Sequence, residues 1–138
     1  MIDSKIFIEK RTRLQNYLKR IDDTVKNDIN RVKNPDIQDI VVLNLQRSIQ
    51  NTIDMASYIV LTKRLGIPAS LLDIFFILEK NKIITKTIRI KMGQMIDFRN
   101  IAVHDYQAID PAILKSILSL HLKDFEDFYD AIIKKCGS

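Results

Sequence analysis

The sequence predicts an all-α fold, an up-and-down bundle of about five helices formed by residues 1–138 as one domain. Three observations carry this expectation. Apolar residues recur at spacings of three and four along most of the chain, no stretch alternates apolar and polar residues as a half-buried strand would, and only three glycines and three prolines are available for turns. A chain of 138 residues buries roughly two-thirds of its unfolded surface, enough for one core.

Taken in order, Leu14, Leu18, Ile21, Val25, Ile29 and Val32 form the stripe of a long amphipathic helix that Asn34-Pro35 should end. Val41, Leu45, Ile49, Ile53, Ala56 and Val60 predict a second long helix, closing before Gly66-Ile67-Pro68. A short third element from about Ala69 to Lys80 is apolar on most sides and is expected to be buried. A fourth helix runs from about Thr85 into the polar cluster described below. Asp110-Pro111 has the form of a helix start, with Asp as cap and Pro in the first turn where its missing N–H costs nothing. Leu114, Leu118, Phe125, Phe128 and Ile132 mark the last helix.

Composition narrows the class. With 46% hydrophobic and 28% charged residues the chain reads as a soluble globular protein. Its longest apolar runs, such as Ile74-Phe75-Phe76-Ile77-Leu78, fall far short of the roughly 20 residues that span a bilayer. The start Met1-Ile2-Asp3-Ser4-Lys5 mixes charge with apolar residues, unlike a signal peptide, so a cytoplasmic location without membrane association is expected. The single cysteine, Cys136, fits a reducing compartment. A net charge of +5 favours an anionic partner. The excess lies in residues 1–35, with nine Lys/Arg against five Asp/Glu, and in residues 70–107, with six against four. For the first segment the plain reading is a solvated helix face.

The chemistry concentrates in Arg99-Asn100-Ile101-Ala102-Val103-His104-Asp105-Tyr106. Histidine both gives and takes a proton near neutral pH, and arginine grips phosphate through two points, so the pairing suggests phosphoryl chemistry. Arg99 continues the apolar stripe of Ile88, Met92 and Met95, where a charge needs a partner or an open cleft. On an ideal helix Arg99 and His104 point about 140° apart. Either the helix unwinds before His104, or the two side chains act together across a subunit interface. Lys86 and Arg89 share a face with Gly93 and Asn100, a basic strip leading toward the cluster.

Each residue also has a structural alternative. Arg99 fits a buried cation paired with a carboxylate, His104 a cap on the preceding helix, and Tyr106 a core phenol with one polar contact. His121, on the stripe of Leu118 and Phe125, reads as a packed histidine. Asp54 and Asp97 read as polar-face residues or arginine partners. No second histidine or cysteine stands at ligand spacing, so neither a metal nor another cofactor is expected.

The run R-N-I-A-V-H-D-Y resembles the Arg-x4-His-x-Tyr motif of the HepT toxins, members of the HEPN (higher eukaryote and prokaryote nucleotide-binding) superfamily. Asn44-Leu45-Gln46-Arg47-Ser48-Ile49-Gln50 followed by Ile53-Asp54-Met55-Ala56 resembles the second helix of that family, and the resemblance extends over residues 40–130. It implies a homodimer with two motifs facing each other across a cleft, and metal-independent cleavage of RNA. Arg99 and His104 are then catalytic and Asn100 orients the arginine or a phosphate oxygen, while the basic strip of Lys86 and Arg89, read from its spacing, is expected to contribute to substrate binding. It further implies a partner, an MNT-type nucleotidyltransferase that attaches AMP from ATP to Tyr106. The competing expectation is a catalytically inactive HEPN module that binds the nucleotidyltransferase or a nucleotide.

Overall fold

A computed structural model describes residues 2–137 as an all-helical chain, with no strand among the described residues. Helix α1, Ser4–Val25, opens on Asp3, whose carboxylate accepts from the Lys5 N–H at 2.8 Å. It stops earlier than the apolar stripe suggests. Lys26 and Asn27 turn left-handed (φ 50° and 62°), a conformation asparagine tolerates better than most side chains. Asp28 then caps a 3₁₀ turn, Ile29–Lys33, through Asn30 N–H. Val32 in that turn is still buried, so the stripe correctly marks the inward face while hiding the break.

Asn34-Pro35 ends this segment and also starts the next. Asn34 accepts from the N–H groups of Asp36 and Ile37, and Pro35 is the first residue of α2, Pro35–Thr62. The helix buries its predicted stripe together with Val42, Met55 and Ile59, which makes it the central rod. A buried strut crosses it: Asn51 Nδ2 donates to the Lys10 carbonyl of α1 at 2.9 Å, and the Tyr129 hydroxyl donates to Asn51 Oδ1. Each such bond contributes about 1 kcal/mol net, and orphaning a buried partner costs about 1–3 kcal/mol.

Gly66, at φ 152°, makes the turn toward α3, Leu71–Lys80. Only Ile74, Phe75 and Leu78 of α3 are buried, while Leu72 and Phe76 are exposed, so this helix is less enclosed than its composition suggests. Helix α4, Lys86–His104, is capped by Thr85 and packs against α3, α2 and α6. A connector with a short turn at Tyr106–Ala108 leads to α5, Pro111–Ser116, where Asp110 accepts from Ala112 N–H at 2.8 Å as its sequence predicts.

Helix α5 continues through a π turn, Ile117–His121, into α6, Lys123–Cys136, so the expected last helix is one rod with a local widening. Edge-to-face aromatic pairs Phe7–Tyr129, Phe128–Tyr129 and Phe75–Phe128, with centroids 5.5–5.8 Å apart, join α1, α3 and α6 in the core. Cys136 is buried, and burial pushes its thiol pKa up. No described helix is long and apolar enough to cross a membrane.

Candidate active site

Helix α4 remains helical through His104, with Asp105 N–H donating to the Ile101 carbonyl at 2.8 Å. Unwinding before His104 therefore does not occur. Arg99 and His104 leave the same regular helix about 140° apart, with their Cα atoms separated by about 7.5 Å along its axis.

Arg99 is half-buried and held by two neutral amides: Nη1 donates to Asn100 Oδ1 at 3.2 Å, and Nη2 donates to Gln50 Oε1 of α2 at 3.4 Å. Among the described residues no carboxylate forms an ion pair with it. The structural-cation alternative fails for that reason. Two amides fix the direction of the guanidinium without neutralising it, and its charge stays available to an anion. Gln50 is itself held, its Nε2 donating to Asp54 Oδ1 at 2.8 Å, so Asp54 acts on Arg99 only through that amide.

His104 is exposed in the last turn of α4 and makes no hydrogen bond among the described residues; it does not cap the helix. Tyr106 is half-buried in the connector, and its hydroxyl donates to Asp39 Oδ1 at 2.5 Å. Burial, reinforced by the hydrogen bond to Asp39 and its negative charge, pushes the phenol up to about 12. The hydroxyl is therefore protonated at neutral pH. Asp39, Leu43, Arg47, Gln50 and Asp54 recur at spacings of four, four, three and four on α2. One face of the central rod thus passes both Tyr106 and Arg99.

The structure does not bring Lys86 and Arg89 to this end. Lys86 starts α4 and lies roughly 27 Å along the axis from His104. The Arg89 guanidinium is ion-paired through Nε to Glu79 of α3 at 2.7 Å and stacks on Phe76, 4.4 Å from the ring centroid. It pins the α3–α4 hairpin. Glu79 lies ten residues earlier and across a turn, beyond the reach of helical spacing rules.

Sequence reasoning also misses the surroundings of His121. Its Nδ1 lies 2.8 Å from Oδ2 of Asp124, which is 1% exposed, while Lys91 Nζ of α4 is 3.5 Å from the other oxygen. This charged cluster ties α4 to the π turn at one end of a cleft of about 380 Å³, lined chiefly by Met95, Phe98, Ile101, Ile109 and Ile117. Asp97 is exposed at that cleft and pairs with no arginine among the described residues. No group of three His, Cys, Asp or Glu side chains among the described residues is placed to hold a metal ion.

The profile of the family described as Ribonuclease HepT-like matches residues 14–132. The chain belongs to the HepT-like ribonuclease family. It is 38% identical over 127 residues to the mRNA nuclease HepT of Shewanella oneidensis, a match covering 92% of this chain and 96% of the relative. Among solved structures, it is similar to a chain of a toxin–antitoxin complex with AMP-PNP, with a TM-score of 0.90, 36% identity, and coverage of 95% of this chain and 99% of that one. It is also similar to a chain of the tri-AMPylated Shewanella oneidensis HEPN toxin in complex with MNT antitoxin, with a TM-score of 0.89, 38% identity, and coverage of 98% and 100%. Arg99, Asn100, His104 and Tyr106 of this HepT-like chain all fall inside the family match.

Proposed function

We propose that this chain is a metal-independent endoribonuclease toxin that acts as a homodimer and is silenced when an MNT-type nucleotidyltransferase transfers AMP to Tyr106. The carrying observation is Arg99, a guanidinium oriented by Gln50 and Asn100 and paired with no described carboxylate, on the same helix end as the open imidazole of His104. The relatives described as an mRNA nuclease and as an AMPylated toxin bound to its antitoxin support both halves of the reading.

In the proposed reaction His104 takes the proton of a ribose 2′-hydroxyl, and the 2′-oxygen attacks the adjacent phosphorus. Arg99 carries the charge that builds on the phosphate oxygens. The 2′-O–P bond forms, the P–O5′ bond breaks, and the imidazolium returns its proton to the departing 5′-oxygen. Nucleophile, base and cation are all accounted for, so the step needs no metal ion. Its product is a 2′,3′-cyclic phosphate. In silencing, the Tyr106 oxygen attacks the α-phosphorus of ATP and pyrophosphate leaves. Asp39 already accepts the hydrogen bond of the phenol and is positioned to receive its proton as the new bond forms.

The 140° divergence of Arg99 and His104 favours pairing across a two-fold axis. Val103, which lies between them on the helix surface, is 52% exposed, an apolar contact surface for a second copy. Mixing refolded Arg99→Ala and His104→Ala subunits tests this. Each variant alone cleaves at least about 10²-fold more slowly than wild type, and the mixture regains a measurable fraction of wild-type cleavage because mixed dimers hold one intact Arg–His pair. No recovery in a mixture shown to contain mixed dimers, or a monomeric wild type at micromolar concentration, contradicts the composite site.

A further inference from the structure

Gln50, which holds Arg99, also lines a narrow groove of about 150 Å³ between α1 and α2, with Lys10, Arg13 and Tyr17 on one wall and Arg47, Asn51 and Asp54 on the other. The α1 residues repeat at spacings of three and four, as do the α2 residues, so two stripes face each other. The groove is braced from beneath by the buried strut from Tyr129 through Asn51 to the Lys10 carbonyl. Three cations face one carboxylate here. None of Lys10, Arg13 and Arg47 forms an ion pair among the described residues, whereas the neighbouring Arg11 is bound to both Glu126 and Asp130. Arg47 also stands one turn from Gln50 on the α2 face that passes Arg99. Part of the positive excess of residues 1–35 thus has a direction: Arg11 is bound to Glu126 and Asp130, while Lys10 and Arg13 line the groove, which Gln50 links to the Arg99 guanidinium.

We infer that the α1–α2 groove binds single-stranded RNA flanking the scissile phosphate, with Lys10, Arg13 and Arg47 on successive phosphates and Tyr17 stacking on a base. Unpaired cations in a concavity with a half-buried aromatic are the chemistry that recognises a flexible strand, and a slot between two adjacent helices is too narrow for a duplex. Folded double-stranded segments are accordingly poor substrates. The inference rests on the nuclease reading above and extends it from the reacting atoms to the path of the strand.

The test uses the dimeric His104→Ala protein, which holds RNA without cutting it, and a fluorescein-labelled single-stranded RNA read by anisotropy over a salt series. Adding Lys10→Gln, Arg13→Gln and Arg47→Gln lowers affinity at least roughly tenfold and reduces the slope of log affinity against log salt by about 2. Tyr17→Leu weakens binding by roughly 5- to 100-fold with the slope unchanged. Lys123→Gln, Lys134→Gln and Lys135→Gln remove the same charge from the C-terminal rod and change neither. In the active protein the groove substitutions raise KM and leave kcat close to wild type. Equal losses from the two triple variants, or unaltered RNA binding with lost inhibition by the nucleotidyltransferase, overturn the groove alone. Failure of the His104→Ala dimer to bind RNA overturns the nuclease reading together with it.

Discussion

Replacing His104 with alanine is expected to abolish the growth arrest caused by expressing this chain alone in a bacterial host, and to lower kcat for RNA cleavage by about 10²–10⁴-fold. Arg99→Ala is expected to cost about 10²–10³-fold, the size of a lost charge-stabilising donor. His104 is exposed and bonds to nothing among the described residues, so its removal leaves no buried group unsatisfied. Arg99 donates only to two amides, and water replaces it there at small cost. Circular dichroism and sedimentation should therefore match wild type for both variants. Folded, dimeric variants that remain as toxic as wild type would remove the catalytic assignment.

Incubating the chain with an active MNT-type nucleotidyltransferase and ATP is expected to add one or more units of roughly 329 Da, mapping to Tyr106, and to abolish cleavage. The adduct adds bulk and negative phosphate at Tyr106, two residues beyond His104 and on the α2 face that also holds Arg99, and so obstructs the path of an RNA backbone. Tyr106→Phe keeps the half-buried ring and removes the accepting oxygen, leaving exposed Asp39 to water, so the variant folds, cleaves RNA and escapes silencing. Asp39→Asn retains an oxygen acceptor for the hydroxyl but loses basicity, and transfer to Tyr106 should slow. An adduct on Tyr58 or Tyr129 in place of Tyr106 would contradict this half of the account, and the 0% exposure of Tyr129 makes that residue unreachable in the folded chain.

The helices were legible in the sequence because their signals are local. Asp110-Pro111 caps α5 and Thr85 caps α4 through bonds that span two or three residues, and the α2 stripe buries the residues its spacing selects. The break after Val25 was hidden because Ile29 and Val32 keep the inward spacing through a 3₁₀ turn, while two left-handed residues carry the actual stop. The candidate site divides the same way. Arg99, His104 and Tyr106 lie within one short run and are visible as a motif. Gln50 is 49 positions away from Arg99, and Asp39 is 67 away from Tyr106, so only the packing of α2 beside α4 reveals them. Arg89 looked like part of a basic strip because helical counting sees only its own helix; the carboxylate that claims it belongs to the neighbouring one.

The central claim is that the substrate supplies its own nucleophile while His104 moves the proton. The most direct measurement is cleavage, in excess EDTA, of a single-stranded RNA and of the same strand bearing one 2′-deoxyribose at the mapped cut site. The account predicts cutting of the ribose strand with a 2′,3′-cyclic phosphate end, and no cutting at the deoxy position. Cleavage that persists at the deoxy position, or products ending in 3′-hydroxyl and 5′-phosphate, would contradict it.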